Sequence, residues 1–284
     1  MKTKAEFITE SLLVKRLKRL PRDCHKGSNG TLNIIAGCER FRGAADLCVG
    51  GALRTGCGIV RLISEEKVVA CVAARHPSCT FLAAEDAETV KRFVYGARDR
   101  SFLIGCGISQ CEKSAISVSA VLAVASRAVL DADALNIISS NPQMRYLLKG
   151  HIITPHIGEF SRLTGLSIDS IKQSKESFAS AFAREYGCVT VLKDSVTVIA
   201  TPDGELYISD NASEGLSKGG SGDVLAGLIA GFFAQGYTPE DAAVIGVAVH
   251  AIASVECASE LGRLSMLPSE LEHYAARLFS RLGY

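Results

Sequence analysis

The segment Gly219-Gly220-Ser221-Gly222-Asp223 leads directly into an apolar run at residues 224–233. An apolar run after a glycine cluster marks a helix start, where backbone N–H groups lack partners and a partial positive charge gathers. Glycine lets that backbone come close to a ligand. Together they make an anion cradle, used most often for phosphate. Asp223 is out of place there, because a carboxylate repels phosphate unless it has a proton to remove or a metal to hold. A plainer reading makes Asp223 the helix N-cap, a position that aspartate favours. The density of glycine around it favours an active site, with Asp223 as its catalytic group.

Other segments carry residues of the same kind. Gly37-Cys38-Glu39-Arg40-Phe41-Arg42-Gly43-Ala44 either binds anions through Arg40, Arg42 and its amides or is an ordinary turn into a helix. Asp131 and Asp133 suit magnesium, which takes carboxylate oxygen and water; alternatively Asp133 caps a helix. His156 and Glu159 follow Pro155 at a helix entry, where the dipole favours an acid. Lys193 ends a buried strand, where an unpaired ammonium is costly. It needs an anionic partner, either a phosphate or a carboxylate such as Asp194.

The elements that must hold these residues alternate along the chain. Short apolar runs predict strands at residues 32–36, 59–63, 80–83, 102–104, 128–130, 152–154, 189–192 and 196–200. Longer stretches predict helices at 44–55, 87–95, 113–125, 158–163, 168–186, 223–235, 239–259 and 268–282, with a first amphipathic helix within 1–21. Strands apolar on both faces, with helices between them, argue an α/β fold whose mostly parallel sheet is covered on both faces. Thr201-Pro202-Asp203-Gly204 predicts a hairpin from 196–200 to 205–208. No linker or repeat divides the chain, so a single domain over residues 1–284 is expected. Ligands of such sheets bind beyond the carboxyl ends of the strands, and the candidate loops leave those ends.

Composition narrows the classes. The net charge is +1, with 48% hydrophobic and 21% charged residues, so no electrostatic case exists for nucleic acid. No apolar run reaches the roughly 20 residues of a membrane span, and the N-terminus lacks a signal peptide's apolar centre. The ten cysteines are scattered without a Cys-x-x-Cys pair. They read as mostly free, small buried hydrophobes in a reducing, cytoplasmic compartment.

Taken together, the motifs make the chain resemble the NAD(P)H-hydrate dehydratases, a branch of the ribokinase-like superfamily. The segments that carry the likeness are Lys26-Gly27-Ser28-Asn29-Gly30, Gly43-Ala44-Ala45 with Ala52-Leu53-Arg54-Thr55-Gly56-Cys57-Gly58, Val129-Leu130-Asp131-Ala132-Asp133-Ala134-Leu135-Asn136, Ile153-Thr154-Pro155-His156-Ile157-Gly158-Glu159, Val191-Leu192-Lys193 with Thr197, and the glycine cluster with Asp223-Val224-Leu225-Ala226-Gly227. The resemblance implies a ribokinase-like fold. It also implies an enzyme that repairs NADH or NADPH hydrated at C6, with ADP, or less often ATP, as the phosphate donor that drives loss of water. Asp223 would be the base. Ala44, Gly107, His156 and Asp223 would contact the hydrated dinucleotide; Lys193, Asp194, Ser195, Val196, Thr197 and Gly222 would contact the nucleotide. Magnesium is implied as a cofactor, without ligands assigned. A homo-oligomer, a tetramer among the forms, and a separate epimerase for the other hydrate epimer are implied as well.

The sequence departs from the family at two places. Asp194 replaces a usual glycine after the lysine, and Gly105-Cys106-Gly107-Ile108-Ser109 replaces a usual Gly-Pro-Gly-Leu-Gly. An epimerase domain, carried by many relatives, is not expected in 284 residues. The alternative functions are a vitamin-pathway kinase with the same cradle and base, and a catalytically silent nucleotide sensor.

Overall fold

The computed structural model describes residues 5–284. Its elements run β1 (Glu6–Phe7), α1 (Glu10–Arg16), β2 (Thr31–Ile35), α2 (Arg42–Leu53), β3 (Ile59–Ser64), α3 (Glu66–Arg75), β4 (Thr80–Ala83), α4 (Ala87–Gly96), β5 (Ser101–Ile104), α5 (Glu112–Val124), β6 (Arg127–Leu130), α6 (Asp133–Ser140), β7 (Ile152–Ile153), α7 (Ile157–Thr164), α8 (Ile168–Gln173), α9 (Lys175–Tyr186), β8 (Val189–Leu192), β9 (Thr197–Ala200), β10 (Leu206–Ser209), α10 (Ser221–Ala234), α11 (Pro239–Leu261) and α12 (Leu271–Arg281).

The strands form one sheet in the order β1-β10-β9-β8-β7-β6-β5-β2-β3-β4. Only β9 runs against its neighbours; the other pairings are parallel. The expected hairpin is therefore present, with Gly204 closing the turn onto the Thr201 carbonyl at 3.0 Å. Alternate residues of each strand point to opposite faces. Leu32, Ile34, Leu103, Val129 and Val191 enter one apolar core with α2, α10 and α11. Ile35, Phe102, Ile104, Leu130 and Leu192 enter a second with α5, α6, α7 and α9. Both faces are thus covered, as the apolar strands require.

The crossover after β2 lies on the first face and the crossover after β5 on the second. β2 and β5 are adjacent, so the connections diverge between them and leave a crevice at their carboxyl ends. On the first face, α2 and α10 pack backbone to backbone. A Cβ at Gly51 would lie 2.5 Å from the Val224 carbonyl oxygen, and one at Gly227 would overlap the Cys48 carbonyl. This close approach brings α2 against the first turns of α10.

Several expectations need correction. The amphipathic N-terminus holds the short strand β1 and a two-turn helix capped by Thr9, and residues 1–4 lie outside the described residues. The single helix expected at 168–186 breaks at Ser174, where Lys175 turns its ammonium to the Val196 carbonyl at 2.9 Å. α3 was not anticipated, since its apolar stripe is short and buries only Val68 and Val72; α6 was expected only as the helix that Asp133 would cap. α11 is long and apolar enough to cross a membrane by length and composition, but 72% of its apolar window is buried inside the protein. It is the central helix of the first core.

Candidate active site

Asp223 is not a cap. The N-cap of α10 is Gly220, in the left-handed region at φ 103° with no side-chain cap bond. Asp223 stands three residues further on, in the first turn, and its side chain faces the interior of the crevice. Burial there, reinforced by the negative charge of Asp131, raises its pKa from 3.8 to about 7. A carboxylate tuned to that range is suited to proton transfer near neutrality.

Lys193, just past β8, finds its partner just past β6, across the intervening strand β7. Its Nζ is 2.7 Å from Asp131 Oδ1, and Asp131 is 2% exposed. Asp194 is not that partner. Burial works against the charge of Lys193, but Asp131 and Glu159 outweigh it and raise the lysine pKa. A Cβ placed on Gly222 would sit 3.2 Å from the lysine Nζ. The glycine thus leaves room for an ammonium against the start of α10, and both offer positive potential to an anion.

The Asp194 carboxylate is drawn aside by Lys175 at 3.1 Å. Burial opposes its ionisation, but the Ser195 N–H and Lys175 hold its pKa low. Asp194 therefore lines the cavity beside the cradle, but with its charge paired to Lys175. Ser195 and Thr197 line the same cavity, of about 670 Å³, with His156, Lys193, Gly222 and His250. Val196 is not among its lining residues.

His156 caps α7. Its Nδ1 accepts from the Gly158 N–H at 2.9 Å, while Glu159 Oε2 accepts from the His156 N–H at 2.8 Å. Burial and then the charge of Lys193 lower the histidine pKa, so the ring is neutral. Burial raises the pKa of Glu159. Gly107 lies at φ +65°, and a Cβ there would come within 2.8 Å of both the Ala44 and Phe41 side chains. Ala44 and Gly107 are thus neighbours across the crevice mouth. The Gly37 N–H donates to the Cys106 carbonyl at 2.8 Å and ties these two loops together. Asp223 lies between this pair and the cavity: Gly222 precedes it on the cavity side, and Cys106, next to Gly107, flanks it on the other.

The magnesium reading of Asp131 and Asp133 does not hold. Asp131 Oδ1 is taken by Lys193, and its Oδ2 accepts from the Cys106 thiol at 3.7 Å. Asp133 accepts from the Ser109 N–H at 2.8 Å and from Gln110 at 3.2 Å. Nor does Asp133 cap α6, whose N-cap is Ala132 at φ 49°. Magnesium takes an oxygen shell, and these residues do not form one. Arg42 turns to the Glu39 carbonyl and Arg40 lies over Phe41, so neither reaches the cradle.

His250 escaped the sequence reading. It is buried in α11, kept neutral by a pKa lowered to about 4, and its Nε2 bonds the Ser221 carbonyl at 3.0 Å. A histidine in an apolar helix was the only signal. The cysteines are all free, but only half are buried: Cys48, Cys79, Cys106, Cys188 and Cys257.

A sequence profile described as NAD(P)H-hydrate dehydratase matches residues 32–277. The ADP-dependent (S)-NAD(P)H-hydrate dehydratase of Bacillus subtilis is 30% identical over 280 residues, covering 97% of this chain and 98% of its own length. A bifunctional NAD(P)H-hydrate repair enzyme of Moorella thermoacetica is 32% identical over 93% of this chain but only 52% of its own length. The chain spans about half the length of the first curated relatives it matches. The crystal structure of the ADP/ATP-dependent NAD(P)H-hydrate dehydratase from Bacillus subtilis, co-crystallised with ATP/Mg2+, superposes with a TM-score of 0.86 at 28% identity, covering 98% of this chain and 99% of that one. A hydroxyethylthiazole kinase from Pyrococcus horikoshii shares the fold alone, with a TM-score of 0.62 at 13% identity over 95% of this chain and 96% of that one.

Proposed function

The chain belongs to the NAD(P)H-hydrate dehydratase family, and on that premise we propose that it restores C6-hydrated NADH and NADPH by a dehydration driven by ADP, which leaves as AMP and phosphate. The observation that carries the reading is the Asp223 carboxyl, raised to about 7 in the first turn of a glycine-cradled helix.

The hydroxyl of the hydrate is a poor leaving group. Asp223 takes its proton as the oxygen attacks the terminal phosphorus of ADP. The amides at the start of α10 and the Lys193 ammonium face the charge that develops on the phosphoryl oxygens. The phosphorylated carbon then loses phosphate as the ring nitrogen pushes its electron pair in, and the iminium so formed gives up a C5 proton to solvent, which restores the dihydronicotinamide. Asp131 holds the lysine charged and in place. Ala44 and Gly107 border the dinucleotide side, and His156 contacts the dinucleotide from within the shared cavity; Lys193, Asp194, Ser195, Val196, Thr197 and Gly222 border the nucleotide side, with Val196 acting through its backbone. Magnesium would supply positive charge against that of the nucleotide phosphates, and no residues of this chain are assigned to hold it. Ten free thiols fit a reducing cytoplasm. A homo-oligomer, a single domain, and a separate epimerase for the other epimer complete the proposal.

Incubation with hydrated NADH and each nucleotide tests it. Dihydronicotinamide absorbance should recover with ADP, with release of inorganic phosphate. Recovery with neither ADP nor ATP refutes the proposal, and a stable phosphomonoester in place of free phosphate assigns the chain to kinase chemistry.

A further inference from the structure

The proposed dehydration asks nothing of two buried thiols at its centre. Cys48, in the second turn of α2, and Cys106, in the loop after β5, have no exposed surface. Their Sγ atoms and a carboxylate oxygen of Asp223 lie within 4.8 Å of one another. Three separate elements bring them together. The glycine-mediated contact of α2 with α10 presses Cys48 towards Asp223, and the Gly37–Cys106 backbone bond fixes the loop. Cys106 occupies the position of the family's usual proline.

We propose that Cys48, Cys106 and Asp223 form a site for a soft divalent cation of the zinc class, and that filling it disables Asp223. Thiolate sulfur selects zinc and its heavier relatives over magnesium, which prefers oxygen throughout. Donors around one tetrahedral zinc, at about 2.3 Å for sulfur and about 2.0–2.2 Å for oxygen, stand roughly 3.5–3.8 Å apart. The trio closes to that spacing by side-chain shifts of well under a bond length. Three protein ligands leave a fourth position for water or for Asp131, whose Oδ2 is 3.7 Å from Cys106 Sγ. On binding, each thiol releases its proton to solvent and its sulfur lone pair forms the metal bond. Two protons leave the thiols per ion, a third leaves Asp223 where that carboxyl is still protonated, and the ion sheds its waters. Asp223 gives an oxygen lone pair to the metal and can no longer take the substrate proton. Inhibition by the ion rests on the proposed function; the site itself does not.

Titration of the reduced, metal-free protein with cadmium tests the site through the thiolate-to-metal charge-transfer band. The band should saturate at one ion per chain. It should vanish in Cys48→Ala and, as a second variant against misfolding, in Cys106→Ala. Cys71→Ser, which removes an exposed thiol, should leave it intact. Zinc should also stop dehydration by the wild type, with inhibition weakened about tenfold or more in Cys48→Ala, since even outer partners of a metal are worth 10–100-fold. Absence of a saturable band, or a band that persists without Cys48, overturns the proposal whatever the activity. A cadmium site of the expected composition in a chain that does not dehydrate supports the site and refutes only the functional reading.

Discussion

At the start of α10, Gly222 faces the Lys193 ammonium, and a Cβ there would sit 3.2 Å from it. At the other end, Gly30 faces the Ala234 carbonyl with φ +78°, and a Cβ would overlap that oxygen. Both glycines lie in segments that carry the family likeness. The first borders a cavity with buried charges and a displaced pKa; the second joins the turn before β2 to the end of a core helix. A motif glycine therefore reports a close approach, and only its neighbour tells whether the approach serves a ligand or the packing. The chemistry gathers at one end of α10 because the carboxyl ends of β5 to β8 and the helix N-terminus converge there.

The largest expected effect probes the chemical end. Asp223→Asn should lower turnover by roughly 10²–10⁴-fold, the worth of a positioned base, while nucleotide binding is kept. Stability should move the other way. The Asp223 carboxyl ionises at 3.8 ordinarily and at about 7 in the fold. The folded chain thus holds the proton more tightly, and this contribution to stability is complete below pH 3.8 and lost as pH rises through 7. An amide avoids that loss, so at alkaline pH the variant should melt higher than the wild type, by roughly 2–4 °C per kcal/mol in a chain of this size. A variant keeping more than about a tenth of the rate would remove Asp223 from the mechanism.

The pH profile sharpens the same point. With Asp223 half ionised at about 7, kcat/KM should climb about tenfold per unit below that value and level off above it. A level profile across the acid side would separate the raised carboxyl from the reaction.

Gly30→Ala tests the opposite end. Strain at positive φ and the clash with Ala234 should cost about 1–3 kcal/mol in urea unfolding, with the rate per folded molecule unchanged. Reduced turnover at unaltered stability would instead place the segment around Gly30 in the site and erase the contrast.

The smallest change is expected from Asp194→Gly, which restores the family's usual residue. It removes a partly exposed pair with Lys175, worth about 1 kcal/mol or less. The nucleotide Kd should stay within a few-fold by calorimetry. A large gain in affinity would show that Asp194 does repel the ligand.

The likeness of this architecture to its sequence differs by range. Strands were legible because buried parallel strands are apolar throughout and sit between helices. The hairpin was legible in Thr201-Pro202-Asp203-Gly204. α3 was missed because only Val68 and Val72 of it reach the core, and the break at Ser174 because Lys175 there reaches across to another loop. In the candidate site, Asp223 and Lys193 stood out by local pattern, whereas His156, Ala44 and Gly107 were singled out by the family resemblance. The partner of Lys193 was not legible, since Asp131 lies 62 residues away; neither were His250 or the thiol pair.

Residue type and local spacing by themselves determined the mostly parallel α/β architecture, that a glycine cluster opens α10, and that an acid stands in its first turn. These properties depend on backbone groups and side chains only a few positions apart. Tertiary structure alone decided that Asp223 is no cap, that Asp131 rather than Asp194 neutralises Lys193, that Asp194 pairs with Lys175, and that Cys48 and Cys106 meet at the carboxylate. Ionisation and ion pairing depend on burial and on charges a few ångströms off, and those neighbours are set by the order of strands in the sheet.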